Sequence, residues 1–169
     1  MSDPAIDIIV DAPAWERTAD LEGLATRAVK AACNASGAKL APASEVAITF
    51  CDDAAIRALN AEWRKRDVAT NVLSFPMPGP LEQKPLLGDI VIAYETVARE
   101  AAEQGKTFED HTSHMIIHGF LHLIGYDHET PEEADVMEAL ERRIAAALGL
   151  SAPYEQEPGE LSGSDVVEE

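Results

Sequence analysis

Residues 87–94 read LGDIVIAY, an apolar and β-branched run that is the strongest strand signal in the chain. Just before it, residues 70–75 read TNVLSF, a second such run that Pro76 stops. The connecting stretch MPGPLEQKP, residues 77–85, holds three prolines and a glycine and reads as a loop. Two adjacent strands on one long loop form a hairpin, so this pair is antiparallel. Upstream, Glu45 to Cys51 reads EVAITFC, with Val46, Ile48 and Phe50 alternating with Ala47 and Thr49. Ile6, Ile8 and Val10 alternate with Asp7 and Ile9 in a first short strand, half buried at least.

Helical periodicity fills the spaces between and after the strands. From Trp15 to about Ser36, Leu21, Leu24, Ala28 and Ala32 keep one face, and Gly37 sits where a C-cap glycine belongs. Asp52 or Asp53 caps a helix in which Ile56, Leu59 and Trp63 fall at i, i+3 and i+7, ending in Arg64-Lys65-Arg66. Three helices follow the last strand. One runs from Glu95 to Gln104 and stops at Gly105. One opens on Thr107 with Asp110 and reaches about Ile124. One opens on Thr130, Pro131 and Glu133 as cap, N1 proline and capping box. This last helix carries Met137, Leu140, Ile144 and Leu148 on one face and ends at Gly149.

The order β-α-β-α-β-β-α-α-α predicts an α+β fold with an α/β-like order. A mixed sheet of about four strands is covered by about five helices in a single domain over residues 1–154. Residues 155–169 lose periodicity and turn acidic, at Glu155, Glu157, Glu160, Asp165, Glu168 and Glu169, and read as a solvated, disordered tail.

A length of 169 residues suits one domain with a tail, and 46% apolar with 26% charged residues rules out wholesale disorder. Thirty-one acids against thirteen Lys and Arg give a net charge of −18. That excludes nucleic-acid binding through uniform positive charge and disfavours an anionic membrane. A polyanionic partner must therefore be met by a local basic patch or by a metal. Cys33 and Cys51 form no CxxC pair and no disulfide framework, so no disulfide partner is expected. The start MSDPAIDIIVD is neither a secretory signal nor a transit peptide, and no run approaches ~18 apolar residues. A cytoplasmic protein without membrane contact is the expectation.

All five histidines, His111, His114, His118, His122 and His128, fall within eighteen residues. Met115, Ile116, Ile117, Phe120, Leu121, Leu123 and Ile124 surround the middle three, so the helix is buried on most sides. Imidazoles there need partners, because an unpaired buried polar group costs about 1–3 kcal/mol. A metal is the economical partner. His118 and His122 are four apart and share a helical face, and Gly125 lets the chain turn back to offer His128 from another direction. Three nitrogens leave one tetrahedral position for water, the pattern of a catalytic zinc held on a zincin-like helix. The rival trio His114, His118 and His122 fails on reach: residues eight apart on a helix are separated by ~12 Å. His114 and His111 are then partners of the ligands, entrance residues or core residues. A metallopeptidase would carry Glu after the first ligand, whereas here Gly119 follows His118, which lets a neighbouring element or a bulky substrate approach.

His118 to His128, HGFLHLIGYDH, resembles the signature of the YbeY family, the metal-dependent endoribonuclease and ribosomal RNA maturation factors of bacteria and organelles. Leu59 to Pro76, LNAEWRKRDVATNVLSFP, is similar to the family's LN-x-x-(Y/W)-R-x-x-D-x-x-T-(D/N)-V-L-S-F-P, and LGDIVI at residues 87–92 to its next strand. The resemblance runs from about residue 5 to 154. It implies a single-strand-specific, zinc-dependent endoribonuclease acting at the 3′ end of 16S ribosomal RNA and in ribosome quality control. His118, His122 and His128 would be the metal ligands, for Zn²⁺ or Ni²⁺, and Arg64 the functional arginine at the cleft mouth. Ribosomal RNA and the small ribosomal subunit would be partners.

Arg64 offers a planar, permanently charged fork suited to phosphate oxygens. With Lys65 and Arg66 it forms the candidate substrate contact, and Arg57 adds a fourth cation to the patch. A hydroxide on the expected metal is one candidate for the attacking or proton-accepting group and Asp127 is a second, with orientation of a ligand or closure of the helix end as the other role of Asp127. Thr70, Asn71 and Ser74 either line the cleft or serve the strand ladder, as does Asp89. Two other functions compete. One is a metal-dependent hydrolase of another substrate such as a peptide. The other is a non-catalytic ribosome-assembly factor with a structural zinc, whose acidic body suits a basic ribosomal protein.

Overall fold

Val91 and Ile92 lie mid-molecule because their strand has a neighbour on each side. In this computed structural model, which describes residues 3–150, the sheet order is β1-β2-β4-β3. The strands are β1 (Ala5–Val10), β2 (Glu45–Cys51), β3 (Val72–Pro76) and β4 (Leu86–Ala93). β1 and β2 are parallel, as are β2 and β4, while β3 runs antiparallel to β4 with Leu73 opposite Val91 and Phe75 opposite Asp89. The expected mixed sheet with its hairpin-like pair is present. Five α-helices complete the fold: α1 (Leu21–Ser36), α2 (Asp53–Arg64), α3 (Tyr94–Gln104), α4 (Phe108–Leu123) and α5 (Pro131–Leu148). No described helix is long and apolar enough to cross a membrane. The acidic tail lies outside the described residues.

The alternation of side chains along each strand divides the core in two. Val46, Ile48, Phe50, Val72, Ile90 and Ile92 face one side and pack with residues of α1, α4 and α5. Leu73, Val91, Cys51 and Ala93 face the other and meet Ile56 of α2. Helix α2 therefore lies across the sheet from α4, with the edge strand β3 between them. That separation later decides how Arg64 reaches the histidines.

Three expectations need correction. The helix expected from Trp15 is broken: Pro13–Arg17 is a 3₁₀ turn, and α1 starts only at Leu21. Trp15 is pinned to β2 by Nε1–H donating to the Cys51 carbonyl at 2.8 Å, and it packs against Phe50, Tyr94 and Phe108. Asp20, at φ 52°, then starts α1 by accepting from Gly23 N–H. Val10 is exposed, because β1 is an edge strand whose end is left uncovered. Trp63, placed by periodicity on the inner face of α2, is 62% exposed, and Asn60 is buried there instead.

Both cysteines are free and buried. Burial first, then the acids nearby, pushes each thiol up to about 12. At pH 8 only about one thiol in ten thousand is ionised, and the thiolate is the reactive form. Native protein treated with iodoacetamide should gain no label within an hour, whereas guanidinium-unfolded protein should gain two, read by intact mass.

Candidate metal centre

Helix α4 is buried because it is wedged between the sheet and the other helices. Thr107 caps its start, Oγ1 accepting from Asp110 N–H at 3.0 Å. At Gly119 the helix lies so close to β4 that an added Cβ would meet Ile90 Cγ2 at 2.9 Å. The glycine therefore admits a neighbouring element of the protein itself. The same packing leaves no room for the glutamate that a peptidase helix would carry there.

Beyond Leu123 the chain reverses. Gly125 adopts φ 110°, a conformation that L side chains avoid. Gly125 N–H donates to the His122 carbonyl and Tyr126 N–H to that of Leu121. Asp127 then accepts from the backbone N–H of His128 at 2.8 Å. Thr130 and Glu133 close the turn with a full capping box at the start of α5. The turn returns His128 toward α4. Its ring centroid is 5.6 Å from that of His118 and 4.9 Å from that of His122, and those two are 4.7 Å apart. One ring nitrogen from each of the three lies within 4.8 Å of the others.

The remaining histidines have other partners. His111 Nε2 is 2.9 Å from Glu100 Oε1, which also accepts from Asn71 Nδ2. This ties α3, α4 and the start of β3 together beneath the site. His114 Nε2 lies 3.2 Å from Glu141 Oε1, and the other oxygen of Glu141 lies 2.6 Å from His118 Nδ1. Glu141, on α5, is 1% exposed. Burial works to raise its pKa, but the electrostatic attraction of His118 and the hydrogen bonds from His114 and His118 outweigh it. The carboxyl is held well below the usual range. Sequence reading passed over Glu141. Its signal was an acid placed four after Met137 and three before Ile144, on the otherwise apolar face of its helix.

This arrangement fits a metal. With Nδ1 of His118 given to Glu141, Nε2 is free to face the site, and it stands 3.2 Å from His122 Nε2. Two nitrogens ~2.05 Å from one tetrahedral ion would be about 3.3 Å apart. Burial first, then the neighbouring His118 and His128, lowers the pKa of His122 to about 4, so its lone pair is available at neutral pH. The cluster can hold a metal ion.

The three histidines line a cleft of about 420 Å³ together with Arg64, Ser74, Tyr126 and Asp127. Arg64 belongs to α2, on the far face of the sheet, and reaches the cleft around the edge strand. Its Nη2 donates to the Ser74 carbonyl at 2.7 Å, and its guanidinium carbon lies 5.0 Å from the centre of the Phe75 ring. Of the other candidates, Ser74 lines the cleft, whereas Thr70 and Asn71 are buried. Asp89 faces Phe75 in the ladder and does not line the cleft. Lys65 and Arg66 are exposed just past α2 and are not among the cleft residues. Arg57 is taken by Asp67, Nε to Oδ1 at 2.7 Å, which removes it from the free basic patch.

Comparison with known proteins matches the sequence to a family. A family model described as Endoribonuclease YbeY matches residues 11–149. A relative from Methylocella silvestris named endoribonuclease YbeY is 57% identical over 155 residues, 92% of this chain and 88% of its own. One of the same name from Bradyrhizobium diazoefficiens is 49% identical over 162 residues, 92% of this chain and 88% of its own. A solution structure from Thermotoga maritima covers 89% of this chain and 99% of its own, with a TM-score of 0.54 and 25% identity.

Proposed function

The chain belongs to the endoribonuclease YbeY family, and on that premise we propose that it hydrolyses phosphodiester bonds of single-stranded RNA with a zinc ion held by His118, His122 and His128. The observation that carries this reading is the meeting, in one cleft, of three converging imidazoles with an arginine brought from the opposite face of the sheet. The zinc would lower the pKa of water toward ~7 and polarise a phosphoryl oxygen. Nickel suits the same nitrogen donors.

The chain's own residues do the rest. Arg64 has five N–H donors, and one bond to Ser74 leaves others for phosphate oxygens. Held at two points, by Ser74 and by the Phe75 ring, the guanidinium is already oriented, so little entropy is lost when a phosphate docks. It stabilises the negative charge that grows on the phosphoryl oxygens. Glu141 fixes the tautomer and ring angle of His118, and Asp127 fixes the turn that presents His128. Lys65 and Arg66 give a longer strand its second electrostatic anchor.

The proposed cellular task is maturation of the 3′ end of 16S ribosomal RNA on the small subunit, with ribosome quality control, in the cytoplasm. The resemblance of the motifs supports it. The test offers zinc-loaded protein a single-stranded RNA, the same sequence as a duplex, and a denatured protein. Cleavage of the single strand alone is expected. Proteolysis without RNA cleavage would overturn the reading.

A further inference from the structure

Trp63 is 62% exposed, the highest value among the large hydrophobic side chains of the described residues. It follows Ile56 by seven positions, a spacing that would set it on the inward face of α2, yet the described residues leave most of it uncovered. A large aromatic group left mostly in water at the end of a helix is the informative kind of exception. The next residue is Arg64, which turns into the cleft, and Lys65 and Arg66 follow, both exposed and without an ion-pair partner among the described residues.

The backbone at Lys65 adds an independent sign. Helices α1, α3 and α5 all end on a glycine in the left-handed conformation: Gly37, Gly105 and Gly149. Helix α2 ends instead on Lys65, at φ 60°. A side chain there costs about 1–2 kcal/mol that glycine avoids. Lys65 thus sets a cation at a position where the backbone alone favours glycine. Charge in the neighbourhood is also arranged to leave these two cations free. Of the two acids in this stretch, Asp67 is occupied by Arg57, and Glu62 forms no ion pair with Lys65 or Arg66 among the described residues. In a chain of net charge −18, an exposed aromatic residue and two exposed cations thus flank in sequence the arginine that lines the cleft.

We infer that Trp63, with Lys65 and Arg66, forms a stacking subsite for an unpaired base of single-stranded RNA next to the phosphate that Arg64 holds. The inference rests on the ribonuclease reading and adds to it the feature that selects single strands. A base in a duplex is already stacked and offers its face to nothing. An unpaired base can lie on the indole while the two cations follow the backbone, the combination by which single strands are held without sequence preference.

The chain's two tryptophans make the test direct, because Trp15 is 1% exposed and serves as a built-in control. Full-length protein is titrated with a cleavage-resistant 2′-O-methyl single strand of ten nucleotides, followed by tryptophan emission and by anisotropy of a label on the strand. Emission from Trp63 should be quenched in step with binding. Trp63→Ala should bind about tenfold or more weaker, and Trp63→Tyr should recover most of that loss. Lys65→Ala should lower the salt dependence by about 0.7 in the log–log slope. A matching duplex should leave the emission unchanged. If the single strand saturates the protein without quenching, or Trp63→Ala binds as the wild type does, the subsite is overturned while the ribonuclease reading stands. If wild-type protein neither binds the strand nor cleaves RNA, both fall.

Discussion

Replacing His128 with alanine should lower zinc affinity by more than about a hundredfold, a larger loss than removing a residue that only orients a ligand. It should lower cleavage of single-stranded RNA by about a thousandfold, equivalent to about 4 kcal/mol of transition-state stabilisation. His128 is the cleanest of the three to remove. It sits on the turn after Gly125 and meets the other two rings, whereas His118 also holds the buried Glu141. The His128→Ala protein should therefore keep its stability within about 1 kcal/mol. The check is zinc titration of chelator-stripped protein, a thermal melt and an initial rate on the same preparation. Full cleavage by a variant that no longer retains zinc would remove the metal from the account.

Glu141 should show the opposite balance, with stability lost along with metal affinity. Its carboxylate serves two imidazoles at once, at 3.2 and 2.6 Å, buried away from bulk solvent. Glu141→Ala strands both ring N–H groups in the interior and should cost about 3 kcal/mol or more. For a domain of this size that corresponds to a melting temperature lower by about 10 °C. Zinc affinity should fall by about 10- to 100-fold because His118 loses its fixed tautomer. Glu141→Gln keeps one acceptor oxygen and should lie between. A metal-free melt separates the packing loss from the metal loss. If stripped Glu141→Ala melts with the wild type, the buried carboxylate is not what holds these rings.

The parts of this protein that were legible in the sequence are those set by local periodicity. The run at Ile90–Ile92 and its prolyl-loop partner TNVLSF gave the sheet its antiparallel pair, because neighbouring strands on one loop have few other choices. The four-residue step from His118 to His122, followed by Gly125, selected three imidazoles that do converge, since one helical face and one left-handed glycine are enough to aim them. What stayed hidden depends on contacts between elements distant in the chain. Glu141 lies 23 residues from His118 and reads as a misplaced acid until α5 is laid beside α4. Trp63 obeys its period and is exposed all the same, because periodicity says which way a side chain points and not whether anything is there to meet it. The resemblance set Arg64 at the cleft mouth, but how it gets there from the far face of the sheet, while Lys65 and Arg66 stay outside the cleft, shows only in the path of the edge strand β3. The break before α1 was likewise invisible: Trp15 answers to Cys51 and three aromatic rings elsewhere in the chain, not to the helical face that Leu21 begins.

In the proposed function one ion would be held by nitrogens from a helix and from the turn that follows it, with a corner left for the reaction. The X-ray absorption spectrum of the zinc-loaded protein at the metal edge reads that shell directly. Three imidazole nitrogens and one oxygen at ~2.0–2.1 Å are expected, with one imidazole lost in the His128→Ala protein. A shell of oxygens alone, a sulfur neighbour, or an identical spectrum from the His128→Ala protein would contradict it.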